Sequence, residues 1–522
     1  MHERLSLADK AVVIIGAGIG GLACAIDLAA QGLQVTVVER AAQAGGKMRQ
    51  AQFQGRTIDS GPTVFTMRWV FDALFDAAGA SFDDHVALQP LETLARHAWC
   101  GNERFDLFAD IDRTAEAVGD FAGAAEARGF LAFCAESRSI YRTLKQPFLA
   151  SSRPNPLSLS VRIGRPGALL GIRPFATMWG ALSRHFRDPR LCQLFGRYAT
   201  YNGSSPFLSP ATLMLIAHVE QDGVWTIGGG MQRLAQALEN LARAHGVLFR
   251  FGQEARNIVV DKGRAAAVVL ASGERLEAAA VVVNADPAAL SAGLLGKAVS
   301  SCVRPLLQRE RSLSAVTWAM TAKTSGFSLL HHNVFFSRDY KREFDRIFGQ
   351  SRLPDAPTVY VCAQDRDDGA APAEERLFLL INAPANGDKT NHSLEEIAQC
   401  QTSVFRQMEQ CGLQIEPQQS QVTTPADFHR LFPATGGALY GRASHGWRAS
   451  FQRPGSATAI PGLYLAGGST HPGAGVPMAA MSGRLAAQRL ISDRASMRPF
   501  RQAAIFGGIS TASAATDAQP SR

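Results

Sequence analysis

Residues 11–30 read AVVIIGAGIGGLACAIDLAA, with a glycine-rich turn between two apolar runs. The β-branched run Ala11–Ile15 predicts a buried strand, the glycines of residues 16–21 predict a turn, and the Ala- and Leu-rich residues 22–31 predict a helix. Residues 35–38 then predict a second buried strand. Together these elements form a βαβ unit, which implies a parallel sheet with helices on its faces.

The turn matches the pattern G-x-G-x-x-G that binds dinucleotides when it follows a strand and opens a helix. Gly16 permits the tight turn, Gly18 lets the backbone approach a pyrophosphate, and Gly21 allows the helix to pack closely on the strand. Glu39 ends the second strand where an acid binds ribose hydroxyls, and an acid there disfavours the 2′-phosphate of NADP. The alternative is a glycine turn without a ligand, and the flanking strands argue against it. Cofactor contacts are therefore predicted for Gly16, Ala17, Gly18, Gly20, Gly21 and Glu39.

More strands are predicted far along the chain, and we interpret them with the first two as one nucleotide-binding domain. They are residues 247–251, 255–260, 266–270, 280–283 and 462–465. The predicted fold class is α/β, a Rossmann-like domain assembled from discontinuous segments, with an inserted α+β substrate domain. The first domain comprises residues 1–90, 225–290 and 455–495, and the substrate-binding, membrane-facing domain comprises residues 91–224 and 291–454. Residues 507–522, rich in Ser, Ala and Thr, are predicted to be disordered.

Composition excludes several classes of protein. The chain has 522 residues, 46% of them hydrophobic, and a formal net charge of +8. Its basic residues are dispersed without a recognition motif, so no nucleic-acid partner is predicted. Its eight cysteines include no C-x-x-C pair, which predicts no metal site, no disulfide framework and a cytoplasmic location. No uncharged apolar stretch reaches about 18 residues, so any membrane association is predicted to be peripheral.

Two further motifs follow the acid at the end of the second strand. Arg40 precedes Gly45-Gly46-Lys47-Met48-Arg49, and the second motif is Asp59-Ser60-Gly61-Pro62-Thr63. Cations soon after a ribose-binding acid can offset pyrophosphate charge, although a solvated surface role is the alternative.

Near the C-terminus, residues 463–478 read LYLAGGSTHPGAGVPM, which predicts a strand, a compact glycine turn and a helix with Pro477 in its first turn.

These motifs resemble those of the flavin-containing amine oxidase and phytoene desaturase superfamily, and residues 463–478 closely resemble the signature of bacterial carotenoid desaturases. The resemblance extends over most of the chain and implies FAD as the cofactor, in a domain of the amine-oxidase/glutathione-reductase type. One departure is Ala255, where the superfamily pattern favours Val beside the adenine. The further FAD contacts implied by the resemblance are Arg40, Gly46, Lys47, Gly61, Pro62, Thr63, Ala255, Asn284, Gly467, Gly468, Gly475, Val476, Pro477 and Met478.

Residues 432–441, FPATGGALYG, resemble the hydroxyneurosporene dehydrogenase branch of the carotenoid desaturases. That branch desaturates acyclic 1-hydroxycarotenoids at the 3,4 bond, and the resemblance implies the same reaction here, within carotenoid biosynthesis and the pathway of photosynthetic pigments. The alternatives are a phytoene desaturase or carotenoid isomerase of the same family, a flavin amine oxidase, and a flavin-binding or carotenoid-carrying protein without activity.

The chemistry of desaturation does not require a catalytic triad, because charge developing on an allylic carbon spreads into the polyene. His471 and Arg442 are candidates for groups near the substrate. For each there is a structural alternative, a histidine bonded to backbone and an arginine paired with an acid. The adjacent His331 and His332 would point to opposite faces of a strand. The base that removes the proton stays open among a carboxylate, a histidine and the reduced flavin. The final electron acceptor is expected to be oxygen or a quinone.

Residues 151–190 combine basic and apolar side chains. The cations are Arg153, Arg162, Arg165, Arg173, Arg184, Arg187 and Arg190. Such a stretch predicts peripheral docking on the inner membrane, from which a lipid-soluble acyclic carotenoid could be taken directly. The alternative is a solvated basic face over an internal apolar stripe.

Overall fold

In the computed structural model of the chain, a five-stranded parallel sheet carries the amino-terminal glycine turn. The structure describes residues 10–496 except 54, 102, 153, 165–166, 168–170 and 367–371. The strands of this part of the chain are β1 (Ala11–Ile15), β2 (Gln34–Val38), β3 (Gln50–Phe53), β4 (Arg56–Asp59), β5 (Phe65–Thr66), β6 (Leu88–Pro90), β7 (Thr93–Trp99), β8 (Glu103–Phe108), β9 (Val224–Ile227), β10 (Leu248–Arg250), β11 (Ala255–Asp261), β12 (Arg264–Leu270), β13 (Arg275–Glu277), β14 (Ala280–Val283), β15 (Ser314–Ser325), β16 (His332–Phe335), β17 (Val359–Ala363), β18 (Glu375–Ala383), β19 (Gln414–Thr423) and β20 (Leu463–Leu465).

The helices of the same residues alternate with these strands. They are α1 (Ile19–Ala30), α2 (Trp69–Ala77), α3 (Ile111–Ala122), α4 (Ala124–Leu144), α5 (Pro156–Ile163), α6 (Met178–His185), α7 (Pro189–Gly196), α8 (Leu215–Gln221), α9 (Gln232–Ala244), α10 (Pro287–Ser291), α11 (Lys297–Ser300), α12 (Tyr340–Phe344), α13 (Leu394–Glu409), α14 (Pro425–Leu431) and α15 (Val476–Ser496). None of these helices combines the length and hydrophobicity needed to cross a membrane.

The parallel sheet has the spatial order β10–β2–β1–β14–β20 and is buried on both faces. Successive side chains of a strand point to opposite faces. Val12 and Ile14 accordingly pack with residues of α1, α9 and α15, whereas Val13 and Ile15 pack against the antiparallel sheet β11–β12–β13. This double burial is the reason that β1 is a continuous apolar run rather than an alternating one.

The C-terminal helix α15 packs directly on α1. A Cβ atom placed on Gly483 would lie 2.0 Å from the carbonyl oxygen of Gly20, so the two helix backbones touch at this point. The last predicted motif of the chain is therefore held against the first, although more than 400 residues separate them.

A seven-stranded mixed sheet forms the second part of the molecule, in the order β19–β15–β18–β17–β16–β7–β8. Its neighbouring strands are antiparallel except for β16 and β7, which are parallel. On one face, Val404 and Met408 of α13 pack in a cluster with Trp318. On the other face, Tyr360 and Leu380 line a cavity that also reaches the glycine turn.

The predicted α/β architecture is confirmed, with shifts at the ends of elements. The first helix begins at Ile19 rather than at residue 22, because Gly20 and Gly21 already have helical backbone. All strands of the parallel sheet lie in the segments predicted for nucleotide binding, and all strands of the seven-stranded sheet lie in those predicted for the substrate domain. The domain boundaries themselves stay a prediction. The predicted disordered tail, residues 507–522, lies outside the described residues.

Candidate functional site

A cavity of about 930 Å³ joins the carboxyl edge of the parallel sheet to the face of the seven-stranded sheet. The glycine turn after β1 and the turn before α15 line one part of it. Apolar side chains such as Phe148, Leu213 and Leu380 line another part. The volume lies in the range of cavities that bind cofactors and small molecules, and the polar and apolar parts imply a ligand or ligands of mixed character.

The N-terminus of α1 opens into this cavity. Its N-cap residue, Gly18, provides no side-chain hydrogen bond to the helix, and Gly18, Ile19 and Gly20 line the cavity. Gly16, directly after β1, has φ +103°, a backbone conformation that favours glycine. The amides of the first helical turn and the positive end of the helix dipole therefore face the cavity, which suits a phosphate group.

Asn284, at the end of β14, explains why the turn needs several glycines. Its side-chain amide donates a hydrogen bond to the Gly16 carbonyl oxygen at 3.1 Å. A Cβ atom on Gly20 would lie 2.7 Å from Asn284 Oδ1, and one on Gly467 would lie 2.8 Å from the same oxygen. One on Gly18 would lie 3.0 Å from Asn284 Nδ2. The Asn284 side chain thus bonds to the turn after β1 and lies so close to Gly20 and Gly467 that a Cβ atom at either position would collide with it.

Glu39 ends β2 beside this turn. Its carboxylate accepts hydrogen bonds of 2.8 Å from the backbone amides of Ala17 and Ala41. Each carboxylate oxygen has a second lone pair, and Glu39 is only partly buried and lines the cavity. The orientation fixed by the two amides therefore leaves acceptor sites for ligand hydroxyl groups.

Lys47 and Arg453 place basic groups against the same cavity. Lys47 donates to the Leu439 carbonyl oxygen, and burial is the main cause that lowers its pKa, with Asp286 opposing that shift. Arg453 is 6% exposed, and burial lowers its pKa to about 10, so it stays positively charged at neutral pH. A buried cation of this kind stabilises negative charge on a ligand.

The turn before α15 faces the glycine turn of α1. Gly467 and Gly475 have φ of +110° and +114°, and the Gly468 carbonyl oxygen accepts a hydrogen bond of 3.2 Å from Arg453. The helix then starts at Val476, with Pro477 in its first turn, where a missing N–H is tolerated. A second helix N-terminus therefore points into the cavity.

Most of the predicted cofactor contacts meet in this cavity. Its lining includes Gly16, Gly18, Gly20, Glu39, Arg40, Gly46, Lys47, Gly61, Pro62, Thr63, Ala255, Asn284, Gly467, Gly468, Gly475, Val476, Pro477 and Met478. Ala17 and Gly21 lie behind the lining. Ala17 donates its amide to Glu39, and a Cβ atom on Gly21 would lie 2.2 Å from the Gly16 carbonyl oxygen, so both shape the turn.

His471 and Arg442 are not among the described residues that line the cavity. His471 is buried, its Nε2 lies 2.9 Å from the Phe148 carbonyl oxygen, and burial lowers its pKa to about 4, so its ring is neutral at neutral pH. Arg442 pairs with Glu310 at 3.0 Å. These are the two structural alternatives that the sequence left open, and a role of either residue in catalysis stays a prediction.

A group of possible metal ligands lies beside the cavity, although the sequence predicts no metal site. Ligand atoms of His331, His332 and Cys362 lie within 4.8 Å of one another. His331 precedes β16, and its ring packs against that of His332, while His332 and Cys362 are cross-strand neighbours. Imidazole and thiolate groups could hold Zn²⁺ or a similar ion. Spacing along the chain could not indicate this group, because pairing of β16 with β17 creates it.

Several polar residues that line the cavity were not predicted as site residues from the sequence. Thr63 Oγ1 lies 2.6 Å from the Tyr360 hydroxyl, which lies 2.7 Å from His332 Nδ1. Tyr201 and Glu220 also line the cavity. Tyr201 begins residues 201–207, YNGSSPF, which resemble a segment of the carotenoid desaturases, whereas no such segment contains Glu220 or Tyr360.

The residues at the glycine-lined part of the cavity fit FAD. The uncapped amides of α1 suit a pyrophosphate, the free lone pairs of Glu39 suit ribose hydroxyls, and the glycines leave no side chain between the ligand and the backbone. The helix N-terminus at Val476 and the cation of Arg453 would favour negative charge on the isoalloxazine ring of FAD.

Comparisons with known proteins agree with this cofactor. The family model described as flavin containing amine oxidoreductase matches residues 19–491. A hydroxyneurosporene desaturase from Rubrivivax gelatinosus is 54% identical over 517 residues, covering 98% of this chain and 98% of that protein. A 1-hydroxycarotenoid 3,4-desaturase from Flavobacterium sp. (strain P99-3) is 32% identical, covering 92% of this chain and 98% of its own.

Among solved structures, cyclohexylamine oxidase from Brevibacterium oxydans IH-35A matches with a TM-score of 0.57 and 16% identity, over 93% of this chain and 100% of its own. At this level of identity the likeness shows the fold alone. The cofactor of the chain is FAD, as the family model and the geometry of the glycine-lined part of the cavity together indicate.

Replacing Glu39 tests the FAD-binding geometry. Glu39→Gln removes the charge and one of the two acceptor oxygens that bridge Ala17 and Ala41. We expect the Kd for FAD to rise about 10-fold or more, because hydrogen bonds to a charged acceptor are worth roughly 1.5–3 kcal/mol. Fluorescence titration of FAD into the FAD-free protein measures the change.

The matched control is Glu277→Gln, which alters an exposed glutamate paired with Arg275 on β13. It should bind FAD as the unmodified protein does. A Glu39→Gln protein with unchanged affinity would show that FAD does not use this carboxylate.

Proposed function

Because the chain belongs to the flavin-containing amine oxidoreductase family, we propose that it is an FAD-dependent desaturase of acyclic carotenoids, acting at the 3,4 bond of 1-hydroxycarotenoids. The observation that carries the proposal is one continuous cavity with an FAD-binding part and an apolar part. The 54% identity to a hydroxyneurosporene desaturase over 98% of both chains supports the substrate class.

Desaturation removes a hydride and a proton from neighbouring carbons of the substrate. When bound, FAD supplies the acceptor for the hydride. The protein has to hold the two carbons beside the cofactor and keep water away from them.

The apolar part of the cavity suits a polyene. Leu144 and Phe148, at the end of α4 and in the π-helical turn after it, line it together with Leu159 of α5 and Ile216 of α8. Burial of apolar surface contributes about 25 cal/mol per Å² and has no directional requirement. A long hydrocarbon chain can therefore bind tightly here, whereas its orientation depends on the few polar groups of the lining.

The reaction is tested by incubating the FAD-loaded protein with 1-hydroxyneurosporene, phytoene or a primary amine, with oxygen or a quinone as the electron acceptor. We expect dehydrogenation of 1-hydroxyneurosporene only, detected by chromatography and mass spectrometry. The FAD-free protein is the control and should form no product. Conversion of phytoene at a similar rate would assign the chain to another branch, and amine oxidation with peroxide release would contradict the proposal.

An exposed apolar patch beside the cavity supports peripheral membrane binding, in which a lipid-soluble substrate enters from the inner membrane. The patch consists of Leu157 and Val161 on one face of α5, with Phe175, and these side chains are 75%, 72% and 77% exposed. Phe175 also lines the cavity, as do Pro156, Leu159 and Ser160 of α5, so these exposed side chains belong to segments that border the cavity. Exposed large apolar side chains in a group are typical of membrane-interaction surfaces.

The arginines of residues 151–190 leave fewer unpaired positive charges for lipid headgroups than the sequence predicts. Two of them are paired with acids within the protein, Arg173 with Glu136 and Arg190 with Asp188. Arg162 donates to the Ser151 hydroxyl, which leaves its charge in place. Arg153 and Arg165 lie outside the described residues. We therefore expect the apolar patch, more than the arginines, to determine binding to a bilayer.

The triple variant Leu157→Glu, Val161→Glu, Phe175→Glu tests this patch. We expect its co-sedimentation with phosphatidylethanolamine–phosphatidylglycerol vesicles to fall about 10-fold or more, because burying each side chain contributes roughly 1.5–3 kcal/mol. Desaturation of detergent-solubilised substrate should persist in the double variant Leu157→Glu, Val161→Glu, which leaves the cavity-lining Phe175 unchanged. The control is Leu394→Glu, at an apolar side chain that is 91% exposed on α13, and this variant should bind vesicles normally. Unchanged sedimentation of the triple variant would contradict docking through this patch.

A further inference from the structure

A compact group of polar side chains interrupts the apolar part of the cavity. We call it the tyrosine–glutamate cluster, and it consists of Arg197, Tyr198, Tyr201 and Glu220. Tyr201 and Glu220 line the cavity, whereas Arg197 and Tyr198 lie behind them. Glu220 is 4% exposed and follows Leu215, Ile216 and Val219 on α8, all of which also line the cavity.

Hydrogen bonds fix the position of the Glu220 carboxyl group. The Tyr198 hydroxyl donates to Oε2, and the Tyr201 hydroxyl donates to Oε1 at 3.0 Å. Arg197 Nη1 in turn donates to the Tyr201 hydroxyl at 2.5 Å. A carboxylate has about four lone-pair sites, of which these contacts use two. Glu220 therefore keeps acceptor capacity towards the cavity and presents a fixed direction to a donor.

Arg197 strengthens this polar character. It is 6% exposed, and its Nε and Nη2 atoms are buried without a hydrogen-bond partner. Burial opposes the charge of Arg197, but the nearby Glu220 carboxylate favours it and the pKa of the guanidinium is raised, so Arg197 stays charged. Burial raises the pKa of Tyr201 as well, which keeps its hydroxyl protonated and able to donate.

Packing alone does not account for these residues. Buried charged groups can often be replaced by apolar residues of similar volume without loss of stability, and all that the polyene itself needs is apolar surface. A polar group with free acceptor capacity inside an apolar binding cavity is typical of a site that recognises a polar group of the ligand.

The cluster also lies near the FAD-binding part of the cavity. Asn202, next to Tyr201, accepts a hydrogen bond of 3.1 Å from Arg453, which also donates to the Gly468 carbonyl oxygen. The Arg453 side chain therefore links the 3₁₀ helix Arg197–Asn202 to the glycine turn before α15.

The proposed substrate has its polar group in a matching place. In a 1-hydroxycarotenoid, the hydroxyl group lies only a few bonds from the 3,4 bond. A group that recognises the hydroxyl must therefore lie close to the carbons that lose the hydride and the proton, rather than at the far end of the cavity. A hydroxyl can donate to a carboxylate, whereas the hydrocarbon end of an unhydroxylated carotenoid leaves that carboxylate unpaired, which costs binding energy.

We propose that the tyrosine–glutamate cluster binds the hydroxyl group of the substrate, with Glu220 as the acceptor. Tyr198, Tyr201 and Arg197 act as positioning residues that hold the Glu220 carboxyl group. This inference rests on the proposed function and adds the residues that select hydroxylated over unhydroxylated acyclic carotenoids.

The experiment compares Glu220→Gln with the unmodified FAD-loaded protein. Two quantities are measured: the KM for 1-hydroxyneurosporene, and the inhibition constant of neurosporene, its unhydroxylated counterpart, as a competitor. We expect the KM to rise about 10-fold or more and the inhibition constant to stay within about 2-fold, because only the hydroxylated ligand loses a hydrogen bond to a charged acceptor. Tyr201→Phe should also raise the ratio of the KM for 1-hydroxyneurosporene to the inhibition constant of neurosporene, by a smaller factor than Glu220→Gln.

The matched control is Glu126→Gln, at a buried carboxyl group that accepts from the Arg187 amide and lies away from the cavity. It should change neither quantity. If Glu220→Gln fails to retain FAD, Tyr201→Phe decides the question by the same ratio. Equal changes for both carotenoids, or no change, would overturn the inference. Failure of the unmodified protein to convert 1-hydroxyneurosporene would instead contradict the proposed function.

Discussion

The side chain of Asn284 sets the constraint on which the site depends. It bonds to the Gly16 carbonyl oxygen and leaves no room for a Cβ atom on Gly20 or Gly467. The ends of β1, β14 and β20 therefore meet at one point, although they come from distant parts of the chain. Because the carboxyl ends of parallel strands share one edge of the sheet, the amides of α1 and the N-terminus of α15 face a single cavity.

The second part of the molecule gives that cavity a different character. The seven-stranded sheet and helices α4, α5 and α8 add an apolar lining to the FAD-binding residues. The family fold is shared with amine oxidases, so the fold alone does not select the reaction. Selection rests on the lining, which is apolar along most of its length and polar at the tyrosine–glutamate cluster, where the hydroxyl of a substrate would lie near the cofactor.

Most of the residues that the sequence predicts to contact FAD line one cavity, because they come from local motifs, and their contact with FAD stays a prediction. The turn at Gly16, the acid at Glu39 and the turn before Val476 are each short patterns with a direct physical reason. The substrate half could not be predicted in this way. Glu220 and Tyr360 belong to no motif, and neither does Arg453 on the FAD-binding side. Only the packing of separate elements brings these residues to the cavity. The pairing of His332 with Cys362 likewise depends on strand register.

The account as a whole requires that substrate carbon and FAD occupy the one cavity at the same time. The most direct test is an anaerobic single-turnover experiment, in which 1-hydroxyneurosporene in vesicles is mixed with the FAD-loaded protein. The absorbance of the flavin and the amount of product are followed together. The account predicts that the flavin is reduced and the 3,4-desaturated product forms at the same rate and in equal amounts. Product formation while the flavin stays oxidised would contradict it.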